Sequence, residues 1–521
     1  MANKNLFRTR RGRLAVTDAK NDAGAPAYGF GAKHALAQYA ATGCMNTTYY
    51  ANATEQLDVV LKHATDVEAE FVAKTAVFCR ERAFMKDMPA LLCAVLAARA
   101  PGLLCEVFDR VIDNGKMLRN FVQIVRSGIT GRRSFGTLPK RLIQKWFKKR
   151  SDAAVFRASV GQSPSLADIV KMVHPKPATP SRAALYGYLI GRTYDAEQLP
   201  ELVRAFEAFK RGETREVPDV PFQMLTALEL GQDEWCAIAR QASWQTTRMN
   251  LNTFARHRVF ERGGVGVALA QRLSDPELVR KARVFPYQLM MAYRAASQDV
   301  PRMVRESLQD AMEHAIENVP TIPGRVYVFP DISGSMHTPV TGYRQGSTTQ
   351  VQCIDVAALV AAAIVRKNRE AEIVPFESKA IEYDFNPRDS VMTNAKRLTN
   401  LPCGGTNCSA PLALLNRRKA KGDLVIYVSD NESWVDAPHH GHMGGGATET
   451  MAQWAQFKAR NKGARMVCID IQPYGTTQAK ERHDILNIGG FSDQVFNVIA
   501  EFAAGRLRAD HWVGVIEDVK L

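Results

Sequence analysis

The sequence is poor in the features that would place a chain in a membrane or staple it covalently. No apolar stretch approaches the roughly 20 residues of a spanning helix; the runs Ala90 to Ala100 and Val356 to Val365 both stop short. The opening MANKNLFRTRRGRL carries charge with no apolar segment after it, so no secretory signal is expected. Nine cysteines form an odd, scattered set without the spacing of a disulfide scaffold. Cys403 and Cys408 are too far apart for the usual CxxC zinc half-site, and no second half-site follows. Reduced, buried thiols in a soluble cytoplasmic protein are the expectation. A hydrophobic content of 46% against 23% charged residues excludes a chain that is mainly disordered. At 521 residues it is also too long for one ordinary core.

What the sequence has in excess is positive charge, unevenly spread. The formal net charge is +15, with 46 Lys+Arg facing 32 Asp+Glu through residue 320 and 22 facing 21 afterwards. A basic module beside a neutral one attracts polyanions by counterion release, which makes nucleic acid the first partner to consider. The densest stretch, RSGITGRRSFGTLPKRLIQKWFKKR from Arg126 to Arg150, contains Arg132, Arg133, Lys140, Arg141, Lys145, Lys148 and Lys149 and no acid. Leu142, Ile143 and Trp146 at helical spacing predict one buried face and a cationic one. Phe135, Trp146 and Phe147 are candidates for stacking on bases, although the spacing of Trp146 favours the core. A merely solvated helix face is the alternative. Arg8, Arg10, Arg11 and Arg13 give residues 1–22 the look of a flexible basic arm.

Two architectures follow one another. From about Glu55 to Asn318 the pattern is helical: Leu57, Val60 and Leu61 share a face, then Val67, Phe71, Thr75 and Phe78, with breakers such as Met88-Pro89, Pro101-Gly102 and HPKPATPS between segments. Amphipathic helices joined by short turns predict hairpins stacked as a solenoid. After Pro320 short apolar runs alternate with helices. RVYVF (325–329), AEIVPF (371–376), DLVIYV (423–428) and ARMVCIDI (464–471) read as buried strands; helices are expected around 353–368, 390–399, 409–420 and 448–461. That alternation predicts an α/β doubly wound parallel sheet, whose ligands bind beyond the carboxyl ends of its strands.

RVYVFPDISGSM places Asp331, Ser333 and Ser335 at such an end, so alternate residues of a tight turn can aim three oxygens at one point. Hydroxyl and carboxylate oxygens suit a hard divalent cation, magnesium or manganese. Thr406 in PCGGTNCSAPL can add a hydroxyl, with Gly404 and Gly405 permitting a close turn. Asp430, ending DLVIYVSD, can add a carboxylate through water. Nucleophilic catalysis by Ser333 or Ser335 with His337 is disfavoured, because no G-x-S-x-G elbow is present and His337 is expected in an exposed loop.

DISGSM, the GGT of PCGGTNCS and VSDNES resemble the metal-ion-dependent adhesion site of von Willebrand factor A domains. The resemblance implies Ser333, Ser335 and Thr406 as direct ligands, Asp331 and Asp430 acting mainly through water, and one coordination position left for an acidic protein ligand. The order of modules, with GFGAKHALAQYAATGCMNTTYY, RERAFMKDMPALLCAVLA, SFGTLPKRLIQKW, SPSLADIVKMVHPKP and LVRKARVFPYQLMMA, further resembles the Ro ribonucleoprotein (TROVE) family.

That resemblance implies a multidomain chain: an all-α ring of HEAT-like helical repeats over residues 23–320, then an α/β von Willebrand factor A domain over 321–521. It implies a bacterial or phage Ro homolog, binding small noncoding Y-like RNA on a basic outer surface and single-stranded ends of misfolded or decaying RNA through a central hole. Such a protein scaffolds RNA surveillance without being an enzyme, an exoribonuclease being linked through the RNA. The family's RNA surface maps onto the cations from Arg132 to Arg150 and onto Lys171, His174 and Lys176. Arg248, Arg256, His257, Arg280, Lys281 and Arg283 are further candidates. The family's animal members carry another His where this chain has Leu166. The rival readings are a protein scaffold that grips an acidic partner through the metal and binds no RNA, and a metal-dependent hydrolase.

Overall fold

The computed structural model describes residues 14–42, 47, 50–83, 85–131, 133–282, 284, 286–317, 319–340, 342–343, 351–434, 447–490, 494–505 and 511–521. The chain forms two compact units, one from residues 64–269 with 516–521 and the other from residues 1–63 with 270–515.

The unit of residues 64–269 is helical, and its local logic is plain in Gly115–Ser127. Asn114 caps the amino end by accepting from the Met117 N–H at 3.0 Å, and Gly128 ends the helix in the left-handed region at φ 82°. Between them Met117, Leu118, Phe121, Val122 and Val125 recur along one face and are buried. Alternate helices stack in layers: Asp87–Arg99 packs on Gly115–Ser127, and Pro101–Val111 packs on Thr137–Lys148. Leu166–Val173 then packs against both Gly115–Ser127 and Thr137–Lys148. This is the stacked-hairpin arrangement of HEAT-like repeats. Trp146 is fully buried and donates its indole N–H to the Ile112 carbonyl at 2.8 Å, so it is a core residue. Phe147 is equally buried, which removes both rings from the candidates for base stacking.

The second unit is built on a five-stranded sheet: β1 Val326–Pro330, β2 Glu372–Ile373, β3 Leu424–Ser429, β4 Arg465–Asp470 and β5 Ile485–Gly489. Its order is β2-β1-β3-β4-β5 with every pair parallel. Helices Cys353–Lys367, Val391–Thr399, Ala410–Arg417 and Glu449–Arg460 fall where the sequence predicts them. The strand expected at 371–376 is regular only over Glu372–Ile373, although the Val374 and Phe376 N–H groups still donate to the Val328 and Pro330 carbonyls at 2.9 and 3.1 Å. Strand β5 was not expected at all.

Residues ahead of the helical array also belong to this unit. The hairpin Ala19–Lys20/Pro26–Gly29 adds Thr476–Thr477 as a third strand. Asn21 donates its amide to the Ser433 carbonyl at 2.6 Å. Residues 14–22 are therefore folded rather than part of a loose arm; Arg8, Arg10, Arg11 and Arg13 lie outside the described residues. The helices between residues 276 and 316 join the same unit, where Arg294 meets the buried Asp355 through two bonds of 2.7 and 2.8 Å.

Candidate functional site

Strand order places the metal candidates. From β1 the chain crosses to β2 on one side, whereas β3, β4 and β5 continue on the other, so the connections diverge between the carboxyl ends of β1 and β3. That crevice is where doubly wound sheets bind ligands. Asp331 follows β1 and Asp430 follows β3, and both are buried. One oxygen of Asp331 accepts from the Ser333 N–H at 2.8 Å, and the other accepts from the Ser429 hydroxyl at 2.5 Å. The Ser333 and Ser335 hydroxyl oxygens are 3.3 Å apart. The Thr406 loop is tied to the same turn by Gly334 N–H donating to the Gly404 carbonyl at 3.0 Å, and Thr406 is buried.

The two glycines of that loop matter for a different reason than turn formation. A Cβ on Gly404 would meet Glu377 Oε2 at 2.0 Å, and one on Gly405 would meet the Trp434 ring at 1.9 Å. Close packing is what requires glycine there. His337 also departs from expectation: it sits half-buried in the 3-10 turn Gly334–His337, its Nδ1 3.3 Å from the Ser333 carbonyl.

Electrostatics tests whether these residues fit a cation. Burial and the neighbouring Asp430 charge push the Asp331 carboxyl up to about 7, against the hydrogen bonds from Ser333 and Ser429. Burial likewise raises Asp430, although Ser335 supports its ionised form. Two carboxylates driven upward together, ringed by neutral hydroxyls, are the environment that a hard divalent ion relieves. The donor set fits the expected metal.

Two acids missed in the sequence lie beside them. Asp470 ends β4 as Asp331 and Asp430 follow their own strands, so its strand-end position was a usable signal. Glu432 lies two residues after Asp430. Both are buried, and Asp470 Oδ1 and Glu432 Oε1 have no hydrogen-bond partner among the described residues. Burial raises both carboxyls, Glu432 to about 9, with Asp430 as the next contributor in each.

The cationic candidates divide by what each side chain does. On Thr137–Lys148 the buried face is Pro139, Leu142, Ile143, Trp146 and Phe147, as the periodicity predicts. The absence of acids in this stretch does not carry over into space: Asp109, from the neighbouring helix, lies 3.5 Å from Lys145 and also pairs with Lys149. Arg150 turns inward, 3.9 Å over the Trp146 ring, and donates to the Asp113 carbonyl at 2.8 Å. Arg133, Lys140, Arg141 and Lys148 have no carboxylate partner among the described residues. Arg132 and Arg283 lie outside those residues.

Lys171, His174 and Lys176 are exposed around the carboxyl end of Leu166–Val173. His174 ends that helix in the left-handed conformation at φ 48°, its N–H donating to the Val170 carbonyl at 2.9 Å. Gln144 donates to the Val173 carbonyl at 2.6 Å, joining this helix end to Thr137–Lys148. Leu166 is fully buried at the first turn. Arg248, Arg256 and His257 belong to the helical unit, whereas Arg280 and Lys281 belong to the sheet-bearing unit, with Arg280 paired to Glu277.

The architecture defines the class: a HEAT-like helical array joined to a doubly wound von Willebrand factor A domain. Residues 325–503 match the Ro60 vWA domain family. The chain is 23% identical to the RNA-binding protein RO60 of Deinococcus radiodurans over 96% of its length and 98% of that protein's. It is 22% identical to the RNA-binding protein RO60 of Caenorhabditis elegans over 46% of its length and 37% of that protein's. The crystal structure of the Deinococcus radiodurans RO (RSR) protein superimposes with a TM-score of 0.65 at 19% identity, covering 92% of this chain and all of that one. Residues 325–503 thus carry the vWA domain of this family, and the whole chain is similar to Ro proteins over nearly its full length.

Proposed function

We propose that this protein binds RNA through its helical unit: small noncoding Y-like RNA on the cationic face, and single-stranded ends of misfolded or decaying RNA as a second class of ligand. The observation that carries this reading is the set Arg133, Lys140, Arg141 and Lys148, none paired with a carboxylate among the described residues. Lys140, Arg141 and Lys148 lie on the helix Thr137–Lys148, whose other face is locked in the core, and Arg133 lies just ahead of it. Cations not neutralised by the protein are available to phosphates, and each phosphate contact releases counterions. Lys171, His174 and Lys176 enlarge the same surface. The relatives named RNA-binding proteins support the ligand class.

In this reading the protein is a cytoplasmic scaffold for RNA surveillance, with cutting done by an exoribonuclease brought in through the RNA. Ser333, Ser335 and Thr406 would hold a magnesium or manganese ion directly, with Asp331 and Asp430 behind them, and the ion would accept an acidic group from a partner protein.

The experiment is a quadruple reversal, Arg133, Lys140, Arg141 and Lys148→Glu. Affinity for structured RNA should fall at least about ten-fold near 0.15 M salt, and the slope of log K against log salt should shrink by roughly 0.7 to 0.9 per lost phosphate contact. An unchanged slope removes this face from the reading. Asp331→Ala or Thr406→Ala should abolish divalent-ion binding and leave RNA affinity unchanged.

A further inference from the structure

Two cavities adjoin at Gln223 within the unit of residues 64–269, and their linings differ in kind. The first, of about 480 Å³, is lined by the rings of Phe222, Trp235 and His257 and by the amides of Gln223, Gln245 and Asn250. Trp235 and His257 lie face to face, ring centroids 4.1 Å apart and 13° from parallel. Trp235 is buried against Phe222, so the outer face of the half-buried His257 is the one left to extend the stack. The Trp235 indole N–H is buried and has no acceptor among the described residues. Native proteins leave few such donors unpaired. Burial and the neighbouring Arg256 hold His257 below the ordinary imidazole range, which keeps a neutral ring with one donor and one acceptor nitrogen.

The second cavity, of about 470 Å³, is cationic: Lys116, Arg119, Arg150 and Arg157 line it. The carboxylate in its lining, Asp113, is already engaged by Arg80 at 2.7 Å. Burial holds both Arg119 and Arg150 below the ordinary guanidinium range, for Arg150 against the pull of Asp109 and Asp113. Arg157 is paired with Asp219, which leaves Lys116 and Arg119 as lining cations with no ion pair among the described residues.

Rings, amides and an unpaired donor suit a nucleobase, which stacks by its face and hydrogen-bonds by its edge. Clustered guanidinium and ammonium groups suit phosphate. We propose that the paired cavities hold one nucleotide unit of a single-stranded RNA, the splayed-out base in the aromatic cavity and adjacent phosphate in the cationic one, with Gln223 between them. This rests on the RNA-binding reading and gives it a definite address. A duplex is refused here because its bases are already stacked and paired, whereas a free strand can turn one base outward.

The test uses the full chain and a single-stranded RNA oligomer carrying one 5-iodouridine. Ultraviolet crosslinking followed by peptide mapping should label the segments holding Phe222, Met249 or His257. His257→Ala should weaken oligomer binding on the order of ten-fold, the scale of one base stacked on a ring. Lys116→Ala should lower the salt slope by about 0.7, one phosphate contact on a single strand. Exposed Gln223→Glu, which puts an anion between the two cavities, should weaken binding without disturbing the core.

Adenosine monophosphate serves as the probe for a free nucleotide. If it binds as tightly as the oligomer, the site serves a small molecule and the proposal is overturned. If the oligomer binds normally to all three variants and crosslinks elsewhere, this site is wrong while RNA binding stands. If the unaltered protein binds no RNA, the broader reading fails and takes this one with it.

Discussion

The two ends of the parallel sheet treat carboxylates in opposite ways. At the amino end, Asp484 just before β5 is gripped by Arg482 at 2.6 and 2.8 Å, by Lys458 at 3.2 Å and by the Trp454 indole N–H at 3.2 Å. These partners overcome burial and hold its carboxyl well below the usual range. Glu372, opening β2, is paired with Arg418 at 2.7 Å. At the carboxyl end Asp331, Asp430, Glu432 and Asp470 are buried, yet among the described residues none of the four makes an ion pair. Among the described residues, the hydrogen bonds that Asp331 and Asp430 accept come from hydroxyls and backbone N–H groups. Charge at the amino end is closed within the protein and serves stability. Charge at the carboxyl end is left open, which is what a cation site requires.

The largest effect that would sharpen this contrast is at the closed end. Asp484→Ala removes the shared partner of Arg482, Lys458 and the Trp454 N–H; because the Arg482 side chain stays about a third in water, the cost should fall toward the lower end of the about 3 to 5 kcal/mol of a broken buried pair. The urea midpoint should drop accordingly, with metal binding retained by whatever protein remains folded. A loss below about 1 kcal/mol would mean that the amino-end pairs are no better than surface ones. The same kind of change at the open end should have the opposite sign. Asp331→Asn removes one of two mutually repelling charges, so in chelator-treated protein above about pH 7 it should raise stability on the order of 1 kcal/mol, read as a rise of roughly 1 to 3 °C in melting temperature. The divalent ion should no longer protect this variant. Destabilisation by Asp331→Asn in chelator would break the comparison.

Much of the open end was legible in the sequence because buried parallel strands read as uninterrupted apolar runs, and their last residues announce the binding edge. RVYVF and DLVIYV led directly to Asp331 and Asp430, and the buried face of Thr137–Lys148 followed from Leu142, Ile143 and Trp146. Strand β5 was hidden: ILNIG is short and broken by Asn487, whose amide is spent on the Ala479 carbonyl at 3.0 Å. The linear absence of acids from Arg126 to Arg150 misled for a related reason. Asp109 lies far upstream in sequence but on an adjacent helix, and pairing across a helix stack leaves no periodic trace. The folding of residues 14–22 was equally invisible, since it depends on a bond from Asn21 to Ser433 more than four hundred positions away. Patterns within an element can be read from sequence; matches between distant elements need coordinates.

The finest test compares the two ends by pH. Asp484 takes its proton in the folded protein well below the unfolded value near 3.8. Its stabilisation is therefore present above that pH and is lost as pH falls through the folded value. Asp331 runs the other way. Its folded carboxyl holds a proton to about 7 while the unfolded chain releases it near 3.8, so stability is lost as pH rises across that interval. Chelator-treated protein should thus be most stable at mildly acidic pH and should lose melting temperature steadily toward pH 7. Saturating magnesium stabilises the ionised carboxylates and should shift the maximum toward neutrality, leaving the acid limb set by Asp484 unchanged. Asp331→Asn should make the limb that falls toward neutrality shallower, with or without magnesium, the remainder belonging to the likewise raised Asp430, Glu432 and Asp470. If magnesium instead moved both limbs together, the ion would be acting on the whole fold, and the division of labour between the two ends of the sheet would be wrong.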